Sequence, residues 1–208
     1  MIDIDLSLSF EEILPWLKVK GENSFSDKMK EDIEKAIKEV LELSTVSYGY
    51  NLSADIDFFD FEKYTPPFPL KRLSLACITL GSELDSMFAY YSKKGEDGYR
   101  YILENTANAL VEKVADYVNF LICSSVQKGE KQSFRKSPGI GRVPIEENLT
   151  IANYLHADKI GVKVTDNFML TPRKSVIFFV EWADLSVKSH EFSRRCGHCG
   201  QSPCIYRS

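Results

Sequence analysis

Apolar residues recur at helical spacing at Met29, Ile33, Ala36, Ile37, Val40 and Leu41, which predicts a helix with one core-facing stripe. Ser24 or Ser26 stands at its start, where a hydroxyl can accept a bond from the N–H groups of the first turn. Glu31/Lys35 and Glu34/Lys38 decorate the other side as a solvated face. The period then drops to two: Val46, Tyr48 and Tyr50, then Ile56 and Phe58, alternate as in half-buried strands. Upstream, Ser9 to Leu17 predicts a helical turn stopped near Pro15, whose ring removes a donor from the ladder. Tyr64-Thr-Pro-Pro-Phe-Pro is an extended loop.

Leu73-Ser-Leu-Ala-Cys-Ile-Thr-Leu reads as a buried strand. Gly81-Ser82 then turns the chain into a helix carrying Leu84, Met87, Phe88 and Tyr91, broken at Gly95-Glu-Asp-Gly. A helix start after a strand offers N–H groups to a ligand, but is as common in plain connections. A long helix follows over residues 98–122, with Leu103, Ala107, Leu110, Val114, Tyr117 and Leu121 as its core stripe. A second line, Asn105, Asn108/Ala109, Glu112, Asp116 and Asn119, occupies another face. It reads as a wet surface, unless something covers the face and perturbs its carboxylates.

Arg135-Lys-Ser-Pro-Gly-Ile-Gly is a rigid turn, and a short helix follows with Leu149, Ala152, Tyr154 and Leu155. Ile160-Gly-Val-Lys-Val-Thr and Ser175-Val-Ile-Phe-Phe-Val predict two strands, joined by a loop holding Met169, Thr171, Pro172 and Arg173. Helices and strands do not alternate in strict βαβ order, so the fold class is α+β, with a mixed or antiparallel sheet and helices packed against it. Without repeats or linkers, residues 1–190 read as one domain and 191–208 as a short Cys-rich tail.

At 208 residues, 44% hydrophobic and net charge −4, the chain can bury one sizeable core without disulfides. Its mixed, mildly acidic charge argues against nucleic acid or an anionic membrane as partner. No apolar run approaches the ~20 residues of a membrane span, and Met1-Ile-Asp-Ile-Asp lacks the features of a signal peptide. A cytoplasmic location is the expectation that follows.

Candidate chemistry gathers in two places. Arg135 precedes Pro138-Gly139-Ile140-Gly141, so a guanidinium suited to a carboxylate or phosphate stands beside a turn that lets main chain approach a ligand closely. With no third glycine and no Walker lysine, nucleotide phosphate binding is disfavoured. Of the five cysteines, Cys77 and Cys123 lie in apolar runs, whereas Cys196, Cys199 and Cys204 crowd the last thirteen residues. That spacing can present three thiolates to a soft metal, with His198 or His190 as a fourth ligand to zinc; an iron–sulfur cluster, thiol redox chemistry or a disulfide are the alternatives. His156 reads as a surface histidine.

Four segments in order, Leu80-Gly-Ser-Glu-Leu-Asp, Ala107-x4-Glu112-x3-Asp116-Tyr117, Arg135-x-Ser137-Pro-Gly and Ile160-Gly-Val-Lys-Val-Thr-Asp-x-Phe-Met-x-x-Pro-x-Lys-Ser-Val, resemble the activation domain of cobalamin-dependent methionine synthase, particularly its short stand-alone relatives. The resemblance spans roughly residues 70 to 180 and implies a single C-shaped α+β domain with a bent, mainly antiparallel sheet that binds S-adenosylmethionine. It further implies remethylation of oxidised cobalamin held by a separate methionine synthase or related corrinoid protein, with an electron from flavodoxin or ferredoxin. By the same resemblance, Arg135 pairs with the cofactor's carboxylate and Glu112 faces its positively charged methionine end. Asp116 shares that face, and Ser137, Pro138, Gly139, Ile140 and Ser175 complete the cofactor-binding set. Similar cysteine tails occur in stand-alone relatives. Two departures stand out: Ile140 replaces the family tyrosine after Pro-Gly, and Glu181-Trp-Ala-Asp replaces a tyrosine pair.

Overall fold

The structure, a computed structural model, describes residues 6–17, 25–54 and 69–188. The strand positions Ile56 and Phe58, most of the proline loop, Ser24, the tail cysteines, His190 and His198 lie outside the described residues. Helix α1 spans Phe10–Leu17 and opens with a reciprocal cap. Ser9 N–H donates to Glu12 Oε2 at 2.7 Å and Glu12 N–H to Ser9 Oγ at 3.4 Å. The expected stop at Pro15 is not observed: only one late ladder bond is lost there, and burial of Ile13 and Leu17 carries the helix one more half-turn.

Helix α2, Asp27–Leu43, buries Ile33, Ala36 and Val40 and is capped by Ser26, whose Oγ accepts from Met29 N–H at 3.2 Å. Ser26→Ala should lower unfolding free energy by about 1 kcal/mol, read as a shifted urea midpoint at constant slope.

The main sheet runs in the order β1-β2-β6-β3, with every neighbour antiparallel. Strands β1 (Ser47–Ala54) and β2 (Leu70–Thr79) precede the helices α3 (Glu83–Lys93) and α4 (Asp97–Cys123). Then come β3 (Glu130–Gln132), α5 (Glu147–Tyr154), β4 (Lys163–Val164), β5 (Leu170–Thr171) and β6 (Ser175–Asp184). Central strands β2 and β6 are buried on both faces, which is why β2 has an almost unbroken apolar run. Ala76, Ile78, Phe178, Val180 and Trp182 join the larger core with α1 to α4. Leu75, Cys77, Ile177 and Phe179 join a smaller one with Val143, Ile151 and Ala152. Desolvation pushes the Cys77 thiol up to about 12, so this cysteine is an inert core residue. The α+β class with a mainly antiparallel sheet flanked by helices is thus the architecture found.

Two elements differ from the sequence reading. The segment from Ile160 does not enter the sheet: residues Ala157–Ile160 form a 3-10 turn, Gly161 reverses the chain at φ +80°, and only Lys163–Val164 remain extended, paired with β5 in a separate hairpin. Strand β3 has no apolar alternation to announce it, being Glu-Lys-Gln. It is held instead by a charge. Arg72 on β2 donates through Nε and Nη2 to Glu130 Oε2 at 3.1 and 3.0 Å, with the guanidinium carbon 3.9 Å from the Trp182 ring centroid. Both partners of this clamp are buried.

Helix α4 is packed by α1, α2, α3 and the sheet. Its buried surface is therefore wider than one stripe: Leu103, Ala107, Leu110 and Val114 are buried as expected, but Val118 and Ile122 take the innermost places near its end, where Tyr117 and Leu121 are only half-buried.

Candidate functional site

The second polar line of α4 is a seam against the edge of β6, and not a wet surface throughout. Lys136 and Phe179 exchange both backbone bonds, at 2.9 and 2.8 Å, so the chain after β3 keeps running beside β6. Side chains alternate across that extension. Lys136 turns to one face, where its Nζ reaches both oxygens of the wholly buried Glu181 at 2.8 and 2.9 Å. Ser133 Oγ accepts from the Glu181 N–H at 2.9 Å and ties the same strand again.

Arg135 therefore turns to the other face, over the Phe178 ring and towards α4. Its Nη2 lies 2.9 Å from Glu112 Oε2 and 2.9 Å from Asp116 Oδ1. One guanidinium thus answers two carboxylates a turn apart and cancels their repulsion. The Arg135 side chain is only 14% exposed, Glu112 39% and Asp116 72%, so the cluster opens to solvent on its acidic side. Neither Nη1 nor Nε of Arg135 donates a hydrogen bond to a described residue.

The turn after Arg135 is built as its composition demands. Ile140 N–H donates to Ser137 O at 3.1 Å, Gly139 N–H to Val143 O at 2.9 Å, and Gly139 sits at φ +80°. A β-carbon there would be strained by that φ and would come within 3.5 Å of Ile145. Pro138 is buried, whereas Ile140 is 70% exposed at the tip. Ser175 is not part of this cluster. Its Oγ donates to Thr79 Oγ1 at 2.9 Å at the start of β6, about 13 Å of extended chain from Phe179.

Four further residues complete the seam and were missed as site candidates, because each gains its meaning from a partner distant in sequence. Asn119 Oδ1 accepts from Gln132 Nε2 at 2.7 Å, and Asn108 Oδ1 accepts from Lys174 Nζ at 2.8 Å. Burial pushes Lys174 below the ordinary 10.5; Arg173 adds to this, while Glu104 and Asp85 oppose it. The unfolded chain therefore holds the proton more tightly in the window just below 10.5, and stability rises as pH climbs through it. Lys174→Met should stabilise the protein at neutral pH and abolish that alkaline rise, measured by urea unfolding at pH 7 and pH 10.

Other candidates resolve simply. At the start of α3, Asp85 Oδ2 accepts from Arg173 N–H at 3.0 Å, so the first turn is occupied by the protein's own acid. His156 is exposed, in the left-handed conformation, as a surface histidine. Among the described residues no group of three His, Cys, Asp or Glu could hold a metal, and no helix is long and apolar enough to cross a membrane.

Fold and site together define an α+β domain whose antiparallel sheet edge carries a guanidinium held between two helix carboxylates. No family profile and no curated protein matches the sequence. In structure, the chain is similar to the MetH reactivation domain bound to AdoHcy, with a TM-score of 0.55 and 15% identity over 89% of this chain and 73% of that one. At that identity the likeness is one of fold: the chain has an activation-domain-like fold.

Proposed function

We propose that this chain binds S-adenosylmethionine at the Arg135 cluster and serves as a reactivation subunit. Its partner would be a cobalamin-bearing methionine synthase or related corrinoid protein on a separate chain, with flavodoxin or ferredoxin as electron donor, in the cytoplasm. The observation that carries this reading is Arg135 clasped between Glu112 and Asp116, within a fold that in the MetH reactivation domain holds AdoHcy. The donor set fits the ligand: a guanidinium with two uncommitted N–H positions complements the carboxylate, and two carboxylates complement the ammonium and sulfonium. The Ser137–Gly139 main chain offers a close backbone surface for the adenosyl end.

When bound, S-adenosylmethionine would supply an electrophilic methyl group. The chain's own residues would bind, orient and neutralise charge, which calls for positioning and no acid–base pair. Isothermal titration of the native protein should give one saturable site for S-adenosylmethionine; absence of heat at several temperatures would sink the reading.

A second reading rests on the Cys196-x2-Cys199-x4-Cys204 spacing. There the tail binds zinc or an iron–sulfur cluster and makes the chain a redox or metal accessory of a corrinoid protein. It expects stoichiometric zinc by elemental analysis, or a visible absorption band after anaerobic reconstitution, lost in Cys199→Ser.

A further inference from the structure

A carboxylate meets a guanidinium in fork geometry along one of two edges, Nη1 with Nη2 or Nε with Nη2. Nη2 belongs to both edges. In Arg135 this nitrogen is the one that serves the helix: it hydrogen-bonds Glu112 Oε2 and forms an ion pair with Asp116 Oδ1, each at 2.9 Å. A ligand carboxylate can therefore take a full fork on Arg135 only by displacing one of the two helix carboxylates.

Burial decides which of them yields. Glu112 is 39% exposed and hydrogen-bonded, whereas Asp116 is 72% exposed, and an ion pair that open to water contributes little. The Arg135 side chain is only 14% exposed with Asp116 against it, so the departure of Asp116 also opens the guanidinium to the ligand. The freed carboxylate stays close, on α4 one turn from Glu112.

Two carboxylates against one guanidinium leave the cluster with one negative charge in excess. The lysines next to these residues in sequence are committed elsewhere, Lys136 to Glu181 on the opposite face and Lys113 to Glu12. A ligand that brings only a carboxylate adds a further negative charge beside the freed Asp116. One that carries a cation near its carboxylate gives Asp116 a new partner, and S-adenosylmethionine, with an ammonium and a sulfonium against one carboxylate, offsets the excess in full.

We infer that Asp116 is a specificity-determining residue: the ligand carboxylate replaces it on Arg135, and the displaced side chain then favours ligands with a cation near that carboxylate and rejects plain carboxylates. Selectivity of this kind comes from a repulsive group set against the wrong ligand. The inference rests on the Arg135 cluster being the S-adenosylmethionine site. Asp116→Asn keeps the shape of the side chain and removes its charge, at a position too exposed for the change to unfold the chain. Titrating native and variant protein with S-adenosylmethionine, and with the adenosyl thioether that keeps the carboxylate but lacks both the α-amino group and the S-methyl group, tests it.

The native protein should prefer S-adenosylmethionine. Asp116→Asn is expected to bind the cation-free carboxylate about tenfold more tightly than the native protein does, with no such gain for S-adenosylmethionine. An equal change for both ligands, or no change for either, overturns the inference while leaving the site reading intact. A native protein that does not bind S-adenosylmethionine overturns both.

Discussion

Arg72→Met should cost about 3–5 kcal/mol, because it takes the guanidinium away from the buried Glu130 carboxylate and from the carbonyls of Leu52 and Ser125. The guanidinium ties β2 to Glu130 at the start of β3 and packs on Trp182, so the loss reaches two strands and the end of α4 at once. For a chain of this size that corresponds to a fall in melting temperature on the order of 10 °C. Calorimetry of the single variant and of Arg72→Met with Glu130→Leu separates the causes. An apolar pair of similar volume should recover most of the loss, since the penalty comes from the stranded charge. A single-variant cost under 1 kcal/mol would show that the clamp does not hold the edge strand.

Arg135→Ala is expected to act on binding and hardly on stability. Its carboxylate partners are 39% and 72% exposed, and water can solvate them once the guanidinium is gone. Ligand-free unfolding should therefore shift by less than about 1 kcal/mol. Affinity for S-adenosylmethionine, by contrast, should fall roughly 30-fold or more, the value of a charge-assisted contact to the ligand carboxylate. Arg135→Lys should restore little, because an ammonium cannot serve two helix carboxylates and a ligand carboxylate in the fork geometry that a guanidinium provides. Unchanged affinity in Arg135→Ala would move the cofactor elsewhere or remove it.

Much of this arrangement could be read from residue order. Helical spacing located α2 and the core of α4, and the unbroken apolar run gave β2. The Pro-Gly turn beside Arg135 and the carboxylates at 112 and 116 were each recognisable by residue type. Local pattern failed where local energy is weak: β4 is two residues long, Pro15 is tolerated because α1 is buried against its neighbours, and β3 is a charged tripeptide. In each case a contact with a distant segment outweighs intrinsic preference. Ser175 owes its position to a contact of the same kind, since its hydroxyl donates to Thr79 on the neighbouring strand.

Sequence alone determined the α+β class, the face on which Glu112 and Asp116 lie together, and the conformation of the turn after Arg135, because each depends on periodicity or on the backbone limits of proline and glycine. Only the tertiary structure decided that this face is a seam. Lys136 and Phe179 join across 43 residues of chain, and that pairing, with Lys136 committed to Glu181 on one face, sends Arg135 to the other. Ion pairs and amide contacts of this kind have no period. They exist where folding brings segments of unrelated spacing to the same edge, so their partners become visible only once the chain has closed.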